Sequence, residues 1–200
     1  MQEVIDRKVY SVDDLFKLGE YWHSWQHHSD FSALHSDAVL QKINQTLADH
    51  HAFLKQADFL ILTLGSAFAY YLHDGGFYVS NNHRAPQAWF RKDLLETSVI
   101  IDALQTLQEA LLKFNPKLKI IFTISPVRHS RDGVIENNRS KARLIEAVHQ
   151  MKDTWYFPAY EIMIDELRDY RFYEADLVHP NYAATPYIWK KFVQHCILPY

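Results

Sequence analysis

The sequence predicts an α/β fold, three layers built around a parallel sheet, on three observations. Two apolar runs, residues 58–65 and 119–126, have strand length and end in Gly65 and Pro126, and a third, Trp155-Tyr156-Phe157, is shorter. Between and after these runs, apolar residues recur at helical spacing. Strand and helix therefore alternate three times, the pattern of parallel strands with helices packed on the sheet faces.

Taken in order, Val39, Leu40, Ile43, Leu47 and Leu54 mark a helix over residues 37–57, with Asp37 as its N-cap. Residues 58–65, Asp58-Phe59-Leu60-Ile61-Leu62-Thr63-Leu64-Gly65, read as a buried strand ending in glycine. Asp74-Gly75-Gly76 signals a hairpin turn ahead of a short Phe77-Tyr78-Val79 strand. A helix over residues 94–114 is stopped by Asn115-Pro116. Residues 119–126 form the next buried strand, ended by Pro126. Residues 138–151 and 160–169 read as helices on either side of the strand at 155–157. The last helix, 185–196, carries Pro186 in its first turn, where its missing N–H has no helical partner to lose.

The chain has 200 residues, 48% of them hydrophobic and 22% charged, enough for the core of one domain, with residues 1–20 as a poorly defined lead-in. A net charge of -3 without a basic tract argues against nucleic acid or anionic membrane as partner. The single cysteine, Cys196, permits no internal disulfide and suits a reducing compartment. Met1-Gln2-Glu3-Val4-Ile5-Asp6 does not open a secretory leader, and the apolar stretch at 59–64 is too short for a bilayer. A cytoplasmic protein without a cofactor is the expectation. Aromatic residues at 14% and 12 histidines exceed what a core needs and point to a site.

In parallel sheets, ligands bind beyond the carboxyl ends of the strands. Three segments qualify: Gly65-Ser66, Ser125-Pro126-Val127-Arg128-His129, and the loop holding Asp176 and His179. Asp176, three residues ahead of His179 in a loop closed by Pro180, can hold its carboxylate against imidazole Nδ1. Nε2 is then free to take a proton from a serine hydroxyl; the bland alternative is a loop ion pair or a helix cap. Ser66 reads as a turn residue before it reads as a nucleophile, since no Gly-x-Ser-x-Gly elbow surrounds it. Ser125-Pro126 reads first as a strand terminator. Arg128 either fixes a substrate carboxylate or phosphate, or pairs with an acid at 165–169. His23 and His27 would share one face of a helix and, with His28, could ligate a metal. No glutamate follows in the zinc-protease arrangement, so no metal is assigned and a lining of the substrate cleft is preferred. Residues 168–173, alternating charge and ring, read as a structural cluster, and Cys196 as core packing.

Five strings resemble one family together: Asn81-Asn82-His83-Arg84-Ala85-Pro86, Ser125-Pro126-Val127-Arg128-His129, Tyr156-Phe157-Pro158-Ala159-Tyr160-Glu161, residues 165–173, and Asp176-Leu177-Val178-His179-Pro180. From about Tyr21 to Phe192 the chain resembles the GSCFA-domain family, relatives of the SGNH (GDSL-like) hydrolases. The resemblance implies an SGNH-like, flavodoxin-like fold and a serine ester hydrolase or acyltransferase acting on an acyl ester, with carbohydrate esters among the candidates. It places Asp176 and His179 on the Asp and His of the last SGNH block, and Gly65 on the glycine of the third. Ala67 stands where the third block has asparagine, and Asn81 or His83 could supply the missing oxyanion donor. Ser125, Arg128 and His129 complete the candidate oxyanion or substrate-binding set.

The family's naming string, Gly-Ser-Cys-Phe-Ala, which supplies the presumed nucleophile from the first strand, does not occur in these residues. Gly65-Ser66-Ala67-Phe68-Ala69 is close to it but sits where the family has a Gly-Thr-Ala-Trp-like string. The expectation is therefore a C-terminal part lacking its nucleophile strand, inactive alone, and associating with the missing N-terminal segment or with itself. In this fold the first strand lies inside the sheet. The sheet is accordingly expected to contain a gap, to fill it from Lys8-Val9-Tyr10-Ser11, or to borrow a strand. The rival readings are a non-catalytic carbohydrate- or acyl-binding protein and, more weakly, a metal-dependent hydrolase on His23, His27 and His28.

Overall fold

The structure, a computed structural model, describes residues 1–197. In chain order its elements are α1 (Gln2–Ile5), β1 (Phe16–Leu18), β2 (Tyr21–His23), α2 (Ser36–Gln56), β3 (Phe59–Leu64), β4 (Phe68–Leu72), β5 (Phe77–Val79), β6 (Phe90–Leu94), α3 (Thr97–Phe114), β7 (Lys119–Ile124), α4 (Gly133–His149), β8 (Trp155–Phe157), α5 (Ala159–Glu161) and α6 (Ala184–Phe192). They form two compact units. The first comprises Met1–Ala57, Phe68–Leu95 and Thr106–Lys117; the second comprises Asp58–Ala67, Glu96–Gln105 and the chain from Leu118 onward.

The second unit is the α/β part. Its sheet is parallel in the order β3-β7-β8, with Phe59 opposite Lys119 and Ile121 opposite Trp155. The central strand β7 is buried from Ile120 to Ile124, which is why its sequence, apolar but for Thr123, shows no alternation of polar and apolar residues. On one side of the sheet, Ile121 and Phe157 pack with Ala159, Ile162 and Phe192. Phe157 and Phe192 meet edge to face at 5.1 Å, and burying each ring is worth roughly 1.5–3 kcal/mol. α5 continues into a π-type turn, Ile162–Glu166, whose Met163 joins Leu167, Tyr173 and Ala184 in a second cluster. The segment read as one helix over 160–169 is thus two short turns.

β3 is an edge strand, and here expectation and structure part. No gap opens inside the sheet, because β3, β7 and β8 pair in sequence. Nor does the Lys8–Ser11 region add a strand: Tyr10 is buried in the first unit and exchanges two backbone bonds with the Asn44 side chain, 2.8 and 3.0 Å. The open position lies instead beside β3. Asp58 and Leu64 turn their carbonyls to β7, accepting from Lys119 and Ser125. The alternate residues Phe59, Ile61 and Thr63 therefore turn their backbone groups outward, and their side chains are exposed.

The first unit holds the antiparallel sheet β5-β4-β6, the β1–β2 hairpin and α2, which buries Val39, Ile43, Leu47 and Leu54. α2 starts at Ser36, so Asp37 lies in the first turn rather than at the cap, where its charge still complements the helix dipole. Residues 1–20, expected as a lead-in, contribute α1 and β1 to this unit. Both hairpin glycines are required. Gly76 has φ +68°, and a Cβ on Gly75 would lie 2.6 Å from the Phe77 ring. Leu94 belongs to a strand instead of the following helix, because residues 90–94 pair with β4. That pairing sets Arg91 over the Tyr71 ring at 4.6 Å and Lys92 over Phe68 at 4.5 Å, contacts that charged-residue counting alone does not reveal. Asn115, 3% exposed, ends α3 and donates to the carbonyls of Leu54 and Ala57 at 2.9 and 2.8 Å. Asn115→Ala strands both carbonyls and should lower the unfolding free energy by about 2 kcal/mol, read as a lower urea midpoint with unchanged slope.

Candidate active site

Residues 172–181 form a closed loop whose neck is a bridge between Tyr173 and Pro180. Asn181 locks the neck. Its Nδ2 donates to the carbonyls of Arg171 and Tyr173 at 2.7 and 3.2 Å, while its Oδ1 accepts the N–H groups of Ala183 and Ala184 at the start of α6. Within the loop Leu177 adopts the left-handed conformation, φ +57°, a strain of about 1–2 kcal/mol outside glycine. The turn lets one carboxylate gather three donors. Asp176 Oδ1 accepts from the N–H groups of Val178 and His179 at 2.8 and 3.0 Å, and Oδ2 accepts from His179 Nδ1 at 2.7 Å.

These bonds fix the ring. A carboxylate can only accept, so the proton is on Nδ1 and the Nε2 lone pair is available. Nε2 has no partner among the described residues. The His179 side chain keeps 57% of its surface open and that of Asp176 48%, so the pair is preassembled but not enclosed. The His179 ring, and after it the two backbone N–H groups, hold the Asp176 carboxyl down to about 2.

The second wall is the segment after β7. Arg128 N–H donates to Val178 O at 3.2 Å and its Nη1 to Leu177 O at 3.4 Å, tying this segment to the Asp176 loop. Its guanidinium lies 4.1 Å from the Tyr173 ring centre and 5.6 Å from that of Tyr170. The alternative pairing of Arg128 with an acid at 165–169 does not form; Asp169 pairs with Arg171 at 3.0 Å. His129 N–H donates to Asn137 Oδ1 at 2.9 Å, and its ring approaches Gly65, where an added Cβ would sit 3.7 Å from Nε2.

Beneath these loops lies what the sequence reading missed. Lys141, 1% exposed, donates from Nζ to Gly65 O and to Ser125 O, both at 2.7 Å, so it clips together the ends of β3 and β7. Burial pushes its ammonium down to about 8. Its neighbour Ser140 accepts the Ala67 N–H at 2.7 Å and lies 3.2 Å from Ser66 Oγ. The Ala67 N–H is therefore committed, and among the backbone donors near Gly65 it is not one an oxyanion could use. The signal was present in sequence: Asn137, Ser140, Lys141, Leu144 and Val148 follow helical spacing and are all buried. The helix starts at Gly133, five residues ahead of the expected start at 138.

Asn81 and His83 belong to the first unit. His83 is buried with Nε2–H on Ser24 O at 2.8 Å and Nδ1 3.3 Å from Ser29 Oγ. Burial lowers its pKa, and in this neutral state it has no ring N–H left for an oxyanion. Asn81 donates to Ser29 Oγ and accepts the His83 N–H, retaining a second amide N–H. His23 lies on β2, not on a helix, so the i, i+4 geometry with His27 does not arise. His23 Nδ1 pairs with Ser32 Oγ, His27 Nδ1 with Ser24 Oγ, and His28 with Asp30. Among the described residues, no three His, Cys, Asp or Glu side chains are grouped to hold a metal. Cys196 packs beside the Ile121–Phe192 cluster, where burial raises its thiol pKa.

Fold and site define an α/β protein that carries an aspartate–histidine pair on a loop beside a parallel sheet. The chain belongs to the GSCFA family, whose model matches residues 1–192. No curated protein and no solved structure gives a match. No helix among the described residues is long and apolar enough to cross a membrane.

Two measurements test this geometry. The Asp176 carboxyl should titrate by NMR at about 2 in the native protein and move only part of the way up to the ordinary range near 3.9 in His179→Ala, because the two backbone N–H donors stay. Because the native value is depressed, the stabilisation is complete above the ordinary range and is lost as pH falls towards about 2. Lys141→Met leaves two buried carbonyls without a donor and should destabilise the fold by about 3 kcal/mol in calorimetric or urea unfolding.

Proposed function

We propose that this chain is the acid–base part of an SGNH-like serine ester hydrolase or acyltransferase. The observation that carries the reading is the 2.7 Å bond from His179 Nδ1 to Asp176, with Nε2 left without a partner among the described residues. In that state His179 accepts a serine proton while Asp176 orients the ring and stabilises the imidazolium. A positioned base of this kind contributes about 10²–10⁴ in rate. The substrate is an acyl ester, with a sugar alcohol among the candidate leaving groups.

The three-layer SGNH-like arrangement is supported by the parallel order β3-β7-β8 and by α5 and α6 packing against one sheet face. The nucleophile is assigned to a strand added beside β3. Phe59, Ile61 and Thr63 offer an unpaired backbone edge there, and exposed Phe59 and Ile61 (51% and 47%) offer apolar surface for it to cover. Such a strand would come from a separate N-terminal segment or from a second copy. The lone cysteine suits a cytoplasmic setting.

A second reading, a carbohydrate- or acyl-binding protein without catalysis, is favoured by the openness of the pair. It is also favoured by a cavity of about 470 Å³ lined by Asn137, Asn138, Tyr160 and Tyr170. Hydrolysis of p-nitrophenyl acetate separates the two. The chain alone should show negligible turnover. Supplied with a peptide strand containing Gly-Ser-Cys-Phe-Ala, it should acylate that serine, at least ~100-fold more slowly in His179→Ala. A strand that binds but is never acylated favours the binding protein. Turnover by the chain alone that disappears in both Ser66→Ala and His179→Ala would assign the nucleophile to Ser66 and overturn the added-strand reading.

A further inference from the structure

Beside the Asp176–His179 pair lies the Arg128 guanidinium, which has no counter-ion among the described residues. Arg128 lines the cavity of about 470 Å³ together with Asn137, Asn138, Tyr160 and Asp176. It also lines an adjoining hollow of about 200 Å³ with Arg168, Tyr170 and Tyr173. The two carboxylates that line the hollows are already engaged: Asp176 by His179 and Asp169 by Arg171. Neither Arg128 nor Arg168 forms an ion pair among the described residues.

The Tyr173 ring centre lies 4.1 Å from the guanidinium carbon, a cation–π contact that helps hold Arg128 in place. Such a contact draws on the charge and engages no N–H donor in a hydrogen bond. Of its five donors one makes a long 3.4 Å contact to Leu177 O, which leaves a fork for an oxyanion. Further donors line the same cavity. Asn138 Oδ1 accepts from Asn137 Nδ2 and the Tyr160 hydroxyl, both at 3.3 Å, and the Asn138 amide N–H groups have no partner among the described residues.

We propose that this cavity reads an anionic group on the ligand: Arg128, assisted by the Asn138 amide, binds a carboxylate or phosphate adjacent to the Asp176–His179 pair. That the anion belongs to an ester substrate rests on the proposed hydrolytic function; anion binding itself does not. A neutral acyl ester would leave the fork unused, whereas a sugar phosphate ester or a dicarboxylic half-ester would occupy it.

The full chain, in a low-salt buffer free of phosphate, is titrated with inorganic phosphate and with malonate, and amide shifts are followed by NMR. Arg128→Met, Arg128→Lys, Asn138→Asp and His179→Ala are measured in parallel. Saturable shifts at Leu177, Val178 and Asn138 are expected, with a dissociation constant in the millimolar range. The tighter probe identifies the ligand group as phosphate or carboxylate. Arg128→Met should weaken binding at least ~10-fold, and Arg128→Lys should restore only part of it, since a lysine lacks the fork. Asn138 is exposed, so Asn138→Asp tests the site without threatening the core, and its added charge should weaken binding at least ~10-fold as well. His179→Ala should bind within about twofold of the parent while removing any acyl transfer, so failure of the hydrolytic reading leaves this one standing. The proposal is overturned if neither probe shifts these amides by about 50 mM, or if Arg128→Met and Asn138→Asp bind as the parent does.

Discussion

At the carboxyl end of the parallel sheet, one buried ammonium holds the site-bearing loops together. Neighbouring strands β3 and β7 end in the carbonyls of Gly65 and Ser125, beyond the ladder that satisfies the rest of the sheet. A buried carbonyl without a donor costs about 1–3 kcal/mol, and Lys141 answers both from a single position on α4. Ser140, one residue earlier, does the same for the Ala67 N–H. The exits of both strands are set by this clip. The segment after β7 then runs where Arg128 meets Val178 O and His129 meets Asn137, so the Asp176 loop docks against a wall that α4 has already positioned.

The aspartate–histidine pair depends on that frame for its place but not for its geometry. Three donors to one carboxylate, a left-handed Leu177 and the Asn181 lock assemble it within ten residues of chain. Its depressed carboxyl arises from hydrogen bonds and not from burial, since both side chains stand half open. A pair built this locally needs no distant side chain to complete its hydrogen bonds.

Part of the histidine and aromatic content packs together in the first unit. In the first unit Phe16 and Trp25 stack at 3.5 Å, and His23 and His83 lie 4.6 Å apart in a cluster that serines hydrogen-bond. Burial keeps those imidazoles neutral, so they act as packing and polar links between short, irregular segments that have little regular backbone pairing of their own.

The sequence by itself determined the three parallel strands, the main helices and the Asp176–His179 pair, because strand periodicity, punctuation by Gly65 and Pro126, and an i, i+3 loop are local properties. It also carried the family resemblance. Only the tertiary structure decided that β3 is an edge, that His83 is committed to Ser24 and Ser29, and that Arg128 lies over the Tyr173 ring with no acid partner among the described residues. Lys141 shows why. A lysine on a helix is soluble surface by every local rule, and it becomes the centre of the site only when two strand ends, distant in sequence, present carbonyls that nothing else can satisfy.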